Sequence, residues 1–142
     1  MNNEFYYVNG MISEHLSIVE ILCNCGCGFG SKKGDFSLKT AIMFERIRNA
    51  LCTFRGREVQ LYVSSACRCE EYNTRVGGAK KSQHKKGFAL DILKPDGVSY
   101  KDFYRIVCDV VRRQGVVGQY ASGSFIHIDT RDTGGKVIRF SK

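Results

Sequence analysis

The chain has 142 residues with a single proline, and 43% of its residues are apolar, which predicts one globular domain over residues 1–142 and excludes a disordered or collagen-like chain. Its formal net charge of +8 suits nucleic acid and carboxylate-bearing substrates alike. Because no finger spacing or helix-turn-helix pattern accompanies the charge, nucleic acid is not the expected partner.

The predicted elements follow one another as helix, strand, loop, strand, helix and strands, after an irregular segment over 1–34. Apolar residues at helical spacing and capping side chains predict helices over 38–54 and 99–114. Residues 66–87, rich in glycine and lysine, are expected to form mostly loop, with a short helix around 70–75. Asp35 and Ser37 are candidate caps of the first helix, Ser99 caps the last, and Gly115 and Gly118 end it. Alternating or short apolar runs predict strands over 58–65, 88–93, 124–130 and 136–140. This order predicts an α+β fold with a mostly antiparallel sheet flanked by helices.

Seven cysteines form an odd set that cannot pair completely within one chain. No signal peptide is recognisable, so we expect reduced thiols or a metal cluster rather than disulfides. Five thiols lie in two short segments, Cys23-x-Cys25-x-Cys27 and Cys67-x-Cys69. Four thiolates from these segments could bind a structural zinc ion. The spacing is not that of the usual zinc-binding pair, however, so we favour buried, reduced cysteines that pack as small apolar side chains.

Two of the three histidines lie near aspartates. His84 falls in a loop and Asp91 in the strand that follows, with a glycine and a small alanine between them that allow the side chains to converge. His127 lies in a strand where His127 and Asp129 share one face. Two histidines and one aspartate make a three-ligand set that leaves the fourth position of a zinc ion open, as in catalytic sites. His15 is expected at the surface.

An extended pattern surrounds these residues. It reads Ser-x-His-x2-Gly-x-Ala-x-Asp over 82–91 and is followed by Phe-Ile-His-Ile-Asp over 125–129. The pattern resembles the zinc D-alanyl-D-alanine carboxypeptidase family, whose fold is shared with vancomycin-resistance D,D-peptidases and the Hedgehog signalling domain. The resemblance runs over residues 16–131. It also includes the Cys-x-Cys-Gly-Cys-Gly segment, Ser-Ser-Ala-Cys-Arg-Cys, Asn-x2-Val-Gly-Gly and Gly-x-Tyr.

The resemblance implies that His84, Asp91 and His127 bind one zinc ion. It also implies that Arg68 contacts the substrate or a developing oxyanion, for which an always-charged guanidinium is suited, although a surface salt bridge is the alternative. Ser82 and Tyr120 fall where the family contacts substrate. For Ser82 the alternative is a hydroxyl that forms a turn.

The sequence departs from the family at the general base. Relatives carry a glutamate three residues, or a histidine five residues, before the last ligand, where this chain has Ser124 and Ser122. Neither serine takes up a proton near neutral pH. Asp129, two residues beyond His127 on the same strand face, is a candidate base or, alternatively, a hydrogen-bond partner of a metal ligand. We also consider a structural hydrogen bond to a neighbouring backbone group.

The resemblance implies a zinc peptidase that cleaves D-amino-acid-containing peptide stems of bacterial peptidoglycan, as a D,D-carboxypeptidase or a related endopeptidase. The alternative is a zinc-containing binding module of the same fold without hydrolytic activity. We expect a monomer that does not bind membranes. Because no signal peptide is recognisable, we expect it to be cytoplasmic as synthesised, and we expect any release to the cell wall to follow a phage-type or non-Sec route.

Overall fold

The structure of the chain is a computed structural model that describes residues 5–142. Its helices are α1 (Ile18–Ile21), α2 (Leu38–Arg55), α3 (Glu70–Arg75) and α4 (Tyr100–Val111), with a 3-10 turn at Gln83–Lys86. Its strands are β1 (Met11–Ser13), β2 (Leu16–Ser17), β3 (Val63–Ser65), β4 (Ala89–Leu93), β5 (Val116–Gln119), β6 (Phe125–Asp129) and β7 (Ile138–Ser141). The predicted α+β class is confirmed.

Five strands form the main sheet in the order β3-β4-β6-β5-β7. The two strands that carry the predicted ligands, β4 and β6, are neighbours and antiparallel, with Asp91 directly opposite His127. Strands β3 and β5 also pair antiparallel with their neighbours, whereas β7 runs parallel to β5. The mostly antiparallel sheet is therefore confirmed, and its register places two functional side chains next to each other.

The two faces of β4 and β6 have different environments because side chains alternate along a strand. One face is fully buried in the core, together with apolar side chains from α2 and α4, and consists of Leu90, Ile92, Ile126 and Ile128. Asp91 and His127 point to the other face and line a pocket. The apolar face fixes the register, since a slip by one residue would bury the ligands in the core.

The long helices begin at the predicted serines. The Ser37 hydroxyl accepts a hydrogen bond from the Thr40 amide at the start of α2, and Ser99 does the same at the start of α4. Asp35, the other candidate cap, instead accepts hydrogen bonds from backbone amides in the preceding loop. Among the described residues, none of the helices is long and apolar enough to cross a bilayer.

Three predictions about elements were wrong. The predicted irregular segment contains β1, β2 and α1, whose few residues are too short for a periodic signal; residues 1–4 lie outside the described part of the chain. The strand predicted over 58–65 begins only at Val63, although Val59 and Leu61 are buried as their alternation implied. Burial beside the edge of a sheet thus produces the alternation of a strand over residues that precede the paired part of β3.

The third error concerns the segment after α4. This helix ends at Val111, because Arg112 adopts a left-handed backbone conformation with φ of 47°. Strand β5 follows, was not predicted, and lies between β6 and β7 in the sheet. Its Gly118 indicated a helix end in the sequence. In the structure a Cβ at Gly118 would lie 2.0 Å from Cζ of Phe140, so the glycine makes room for an aromatic ring.

Candidate metal centre

A tight turn of the backbone positions His84 in the site. The Ser82 hydroxyl caps the 3-10 turn by accepting a hydrogen bond from the His84 amide at 3.3 Å, which is the turn-forming role considered for this serine. Gly87 ends the turn with φ of +72°, and a Cβ there would lie 1.9 Å from the Asp35 carbonyl oxygen. Both the backbone conformation and the close approach require glycine, which lets the chain reverse into β4.

Three potential ligand atoms converge beneath this turn. Oδ1 of Asp91 lies 3.1 Å from Nε2 of His84 and 3.2 Å from Nδ1 of His127. The three side chains are buried, and one ligand atom from each lies within 4.8 Å of the others. The convergence predicted from the spacing of these residues is therefore present in the structure.

The outer nitrogen of each imidazole is held by a protein acceptor. Nδ1 of His84 donates to the Ala66 carbonyl oxygen at 2.6 Å, and Nε2 of His127 donates to Oδ2 of Asp129 at 2.8 Å. These bonds direct the lone pairs of the inner nitrogens towards Asp91. Two lone pairs and a carboxylate oxygen facing one another need a cation between them, and imidazole and carboxylate are ligands that zinc accepts. The residues present therefore fit a zinc ion.

The pKa shifts of Asp91 and His127 indicate the same preference for positive charge between the ligands. Burial opposes the ionisation of Asp91, but its contacts with His127 and His84 outweigh burial and lower the pKa of the carboxyl group. Burial also opposes protonation of His127, yet its bonds to Asp129 and Asp91 raise the pKa of the imidazole above its ordinary value. A proton on His127 stabilises the metal-free cluster, and a metal ion would displace it.

Arg68 lies beside the cluster rather than free at the surface. Its guanidinium donates to Oδ2 of Asp91 at 3.2 Å, to Oδ1 of Asn73 at 3.3 Å and to the Ser65 hydroxyl at 3.2 Å. Gly78 packs so closely that a Cβ there would lie 2.1 Å from Oδ1 of Asn73. The guanidinium therefore has a fixed orientation at the edge of the pocket, and its predicted contact with substrate stays a prediction.

Asp129 is fully buried, and its carboxylate is occupied on both oxygens. Arg131 binds it in a bidentate manner, with Nε 2.8 Å from Oδ1 and a terminal nitrogen 2.6 Å from Oδ2. Burial opposes its ionisation, but the bonds from Arg131 and His127 prevail and lower the pKa of Asp129. A general base works best when its pKa lies near the working pH. The contacts thus favour the alternative prediction, in which Asp129 orients His127.

A pocket of about 490 Å³ opens above the ligand cluster, within the usual range for small-molecule sites. Tyr120 forms one wall, stacked on Phe125 with ring centroids 4.2 Å apart, and Phe140 meets it edge-on. Burial raises the pKa of Tyr120 to about 12, so the phenol keeps its proton at neutral pH. Ser82 also lines this pocket, as the predicted substrate contact requires.

Sequence reasoning missed several residues of this pocket. Arg131 continues the alternation of His127 and Asp129, and that alternation is the signal that could have identified it. Phe140 and Lys142 reach the pocket because β7 pairs with the unpredicted β5. No pattern in the sequence indicates this parallel pairing.

The positions of the missing base lie outside this pocket. Ser122 and Ser124 are hydrogen-bonded to each other through hydroxyls 3.0 Å apart in an exposed turn. Of the described residues that line the pocket, none carries a carboxylate or an imidazole other than the three ligands. The structure thus supplies no substitute for the glutamate or histidine of the relatives at this surface.

The third histidine belongs to another cluster. His15 is half-buried, and its Nδ1 lies 2.6 Å from Oε1 of Glu45 on α2. The other carboxylate oxygen of Glu45 accepts from the Ser13 hydroxyl at 2.6 Å and from the His15 amide at 2.8 Å. This network attaches the β1–β2 turn to α2, so His15 is less exposed than the sequence predicted.

The comparison with known protein families is consistent with the assignment of His84, Asp91 and His127 as metal ligands. No curated protein matches the chain. A family model described as Peptidase M15 matches residues 14–129, a range that contains His84, Asp91 and His127 and most of the main sheet. This family comprises zinc metallopeptidases of the D-alanyl-D-alanine carboxypeptidase superfamily. Since the match covers most of the chain, the protein belongs to the peptidase M15 family.

Proposed function

We propose that the protein is a zinc-dependent peptidase that cleaves the D-amino-acid-containing peptide stems of bacterial peptidoglycan, as a D,D-carboxypeptidase or a closely related endopeptidase. The observation that carries this proposal is the arrangement of His84, Asp91 and His127 at the base of an open pocket in a chain of the M15 family. Three ligands leave one position of a tetrahedral ion free for chemistry.

The protein residues prepare this position. When bound, zinc lowers the pKa of water towards about 7 and polarises the amide carbonyl, which reduces the need for a protein base. Ala66 and Asp129 hold the two imidazoles in orientation through their outer nitrogens. Arg68, fixed by three partners, presents positive charge to the oxygen on which charge develops during hydrolysis.

The pocket suits the end of an anionic peptide. Arg68 and Arg131 line it but are already paired with aspartates. Lys81 and Lys142 also line it and form no ion pair with a carboxylate among the described residues. A carboxylate of the stem is attracted by this field, which acts on both affinity and rate of association. The aromatic wall of Tyr120 and Phe140 provides an apolar surface for small side chains such as those of alanine.

Tyr120 has a further role in the proposal. Because its pKa of about 12 keeps Oη protonated, the phenol is a hydrogen-bond donor over the neutral pH range. We assign it to orient the substrate by donating from Oη, in keeping with its predicted contact. The Tyr120→Phe variant keeps the ring stacked on Phe125 and removes only this donor.

The proposal is tested with the full chain, stripped of metal by a chelator and then resupplied with zinc. A muramyl pentapeptide and purified cell walls are the two substrates. Zinc-dependent release of D-alanine identifies a carboxypeptidase, and clearing of walls without that release identifies an endopeptidase. The His127→Ala variant is the control, and the loss of zinc-dependent cleavage there assigns activity to this site. Absence of cleavage of both substrates by the zinc-loaded wild type would refute the proposal.

A second candidate function is a zinc-containing binding module without hydrolysis. The observation that favours it is the lack of a further carboxylate or imidazole among the described residues of the pocket. This candidate predicts that the zinc-loaded protein binds purified cell walls or stem peptide and leaves both intact. Sedimentation with walls, followed by analysis of the muropeptides, separates it from the peptidase.

A further inference from the structure

A second group of potential metal ligands lies outside the pocket. Four cysteines, hereafter the thiol cluster, place one sulfur each within 4.8 Å of the others: Cys23, Cys25, Cys27 and Cys69. The first three come from the loop after α1, and Cys69 precedes α3. All are free thiols.

The separations between the sulfur atoms suit a tetrahedral ion. Sγ of Cys25 lies 3.4 Å from Sγ of Cys23 and 3.6 Å from Sγ of Cys69. Four thiolates at about 2.3 Å from a zinc ion are about 3.8 Å apart from one another. The cluster is therefore close to the size of a zinc site before any ion is considered.

The backbone is folded to support thiolates. The amides of Cys69 and Tyr72 lie 3.4 Å from the sulfurs of Cys23 and Cys69, and the Phe29 amide lies 3.5 Å from that of Cys27. Hydrogen bonds donated to sulfur stabilise its charged form, which is the form that binds metal.

Glycines make this fold possible. Gly26 and Gly28 alternate with the cysteines and have φ of +83° and +92°. A Cβ at Gly26 would meet no atom within 4 Å, so conformation rather than space accounts for the glycine. The left-handed residues curl the loop so that three successive cysteines face one point.

The loop around the thiol cluster is long and irregular. Residues 22–37 contain neither helix nor strand, and structureless loops of this length are uncommon in compact domains. The loop contacts the segment before α3 through the Asn24 side chain, which donates to the Ser64 carbonyl oxygen at 3.2 Å. An ion shared by Cys23, Cys25, Cys27 and Cys69 would join the two segments directly.

We propose that the thiol cluster binds a structural zinc ion, independent of the ion in the pocket. Sulfur ligands in tetrahedral arrangement select zinc among the common divalent ions, and four protein ligands leave no position for substrate. The ion fixes the loop against the segment that carries Arg68, whose amide donates to the His84 carbonyl oxygen at 3.0 Å. The thiol cluster thereby stabilises the segment that positions Arg68 at the pocket, without taking part in hydrolysis.

The test uses the full chain, reconstituted with zinc under reducing conditions and freed of excess metal. We expect two zinc ions per chain in the wild type and one in the His127→Ala variant, where X-ray absorption shows coordination by sulfur alone. The Cys69→Ser variant should lose one zinc equivalent. Cys52→Ser, at a half-buried thiol outside the cluster, should keep both.

The His127→Ala measurement needs no cysteine change, so it decides the proposal even where Cys69→Ser fails to fold. A His127→Ala protein without zinc, or with nitrogen and oxygen ligands only, would overturn the thiol cluster as a zinc site. A Cys69→Ser protein that is folded and retains two zinc ions would overturn it as well. Neither result depends on whether the protein cleaves peptidoglycan.

Discussion

The ligand triad in the pocket and the thiol cluster differ in how they are built. The triad uses strands at the centre of the sheet, where register places Asp91 opposite His127. The thiol cluster uses two loops, one after α1 and one between β3 and α3. The triad offers three ligands beside an open pocket, whereas the thiol cluster offers four. The comparison teaches that the fold can position three ligands and leave one metal position open for chemistry. A closed four-ligand site, in contrast, can itself stabilise the segments that form it.

The largest expected effect comes from removing a ligand of the triad. His84→Ala should lose the zinc ion of the pocket and lower peptidase activity by more than about a hundredfold. Substitution of a residue that only hydrogen-bonds to a metal ligand already lowers metal affinity or activity by about 10–100-fold. Zinc content and D-alanine release measure the two effects. His15→Ala is the matched control, because this histidine pairs with Glu45 away from the pocket. Equal activity of His84→Ala and wild type would contradict the assignment.

Arg68 separates catalysis from metal retention within the same pocket. Arg68→Ala should lower kcat by about 10²–10³-fold if the guanidinium stabilises developing charge, while the zinc content stays unchanged. Arg68→Lys should recover only part of the activity, because lysine lacks the planar fork that reaches several acceptors. Parallel loss of zinc and activity in Arg68→Ala would instead give the contact with Asp91 a purely structural role.

A substitution at Asp129 tests whether zinc binding by the triad depends on a hydrogen-bond partner of one of its ligands. Asp129 is not part of the thiol cluster. Asp129→Asn removes the charge that faces Nε2 of His127 and should weaken zinc binding in the pocket by about 10–100-fold. Competition with a metal indicator gives the affinity, and the zinc of the thiol cluster is the internal reference. Unchanged affinity with lost hydrolysis would restore the prediction of Asp129 as the base.

The pH dependence of stability gives the smallest effect. In the metal-free chain the raised pKa of His127 adds stability below its ordinary value of 6.5, and this contribution is lost as pH rises through the higher folded-state pKa. The lowered pKa values of Asp91 and Asp129 act oppositely, and their contribution is lost as pH falls below about 3.8. Urea unfolding should therefore show maximal stability of the metal-free triad between these limits. His127→Gln should remove the loss on the alkaline side, and an unchanged profile in that variant would contradict it.

The sequence was sufficient for elements with strong local signals. Ser37 and Ser99 start helices as predicted, and α3 has the predicted bounds Glu70–Arg75. The triad could also be predicted, since a turn and two strands place its members at short sequence distance or in direct register. These features depend on nearest neighbours along the chain or across one pair of strands.

The remaining features depend on contacts that no local pattern encodes. Strand β5 contains a glycine that looks like a helix end, yet this glycine accommodates Phe140 from a strand about twenty residues later. The cysteine spacing of the thiol cluster differs from that of the usual zinc-binding pair, because glycines in the left-handed backbone conformation bring the cysteines together. The pairing of the buried Asp129 with Arg131 depends on side-chain packing, which the alternation of residues along a strand does not specify.

Strand β7 has a practical consequence for work with this protein. It lies beyond the residues matched by the family model and contributes Phe140 to the pocket, which Arg131 and Lys142 from the same unmatched region also line. The ring lies 5.5 Å from that of His127, between centroids, and Lys142 reaches the same opening. Residues joined after Lys142, such as a purification tag, would start at a side chain that lines the pocket. Assays of this protein therefore call for a cleavable tag, removed before activity is judged.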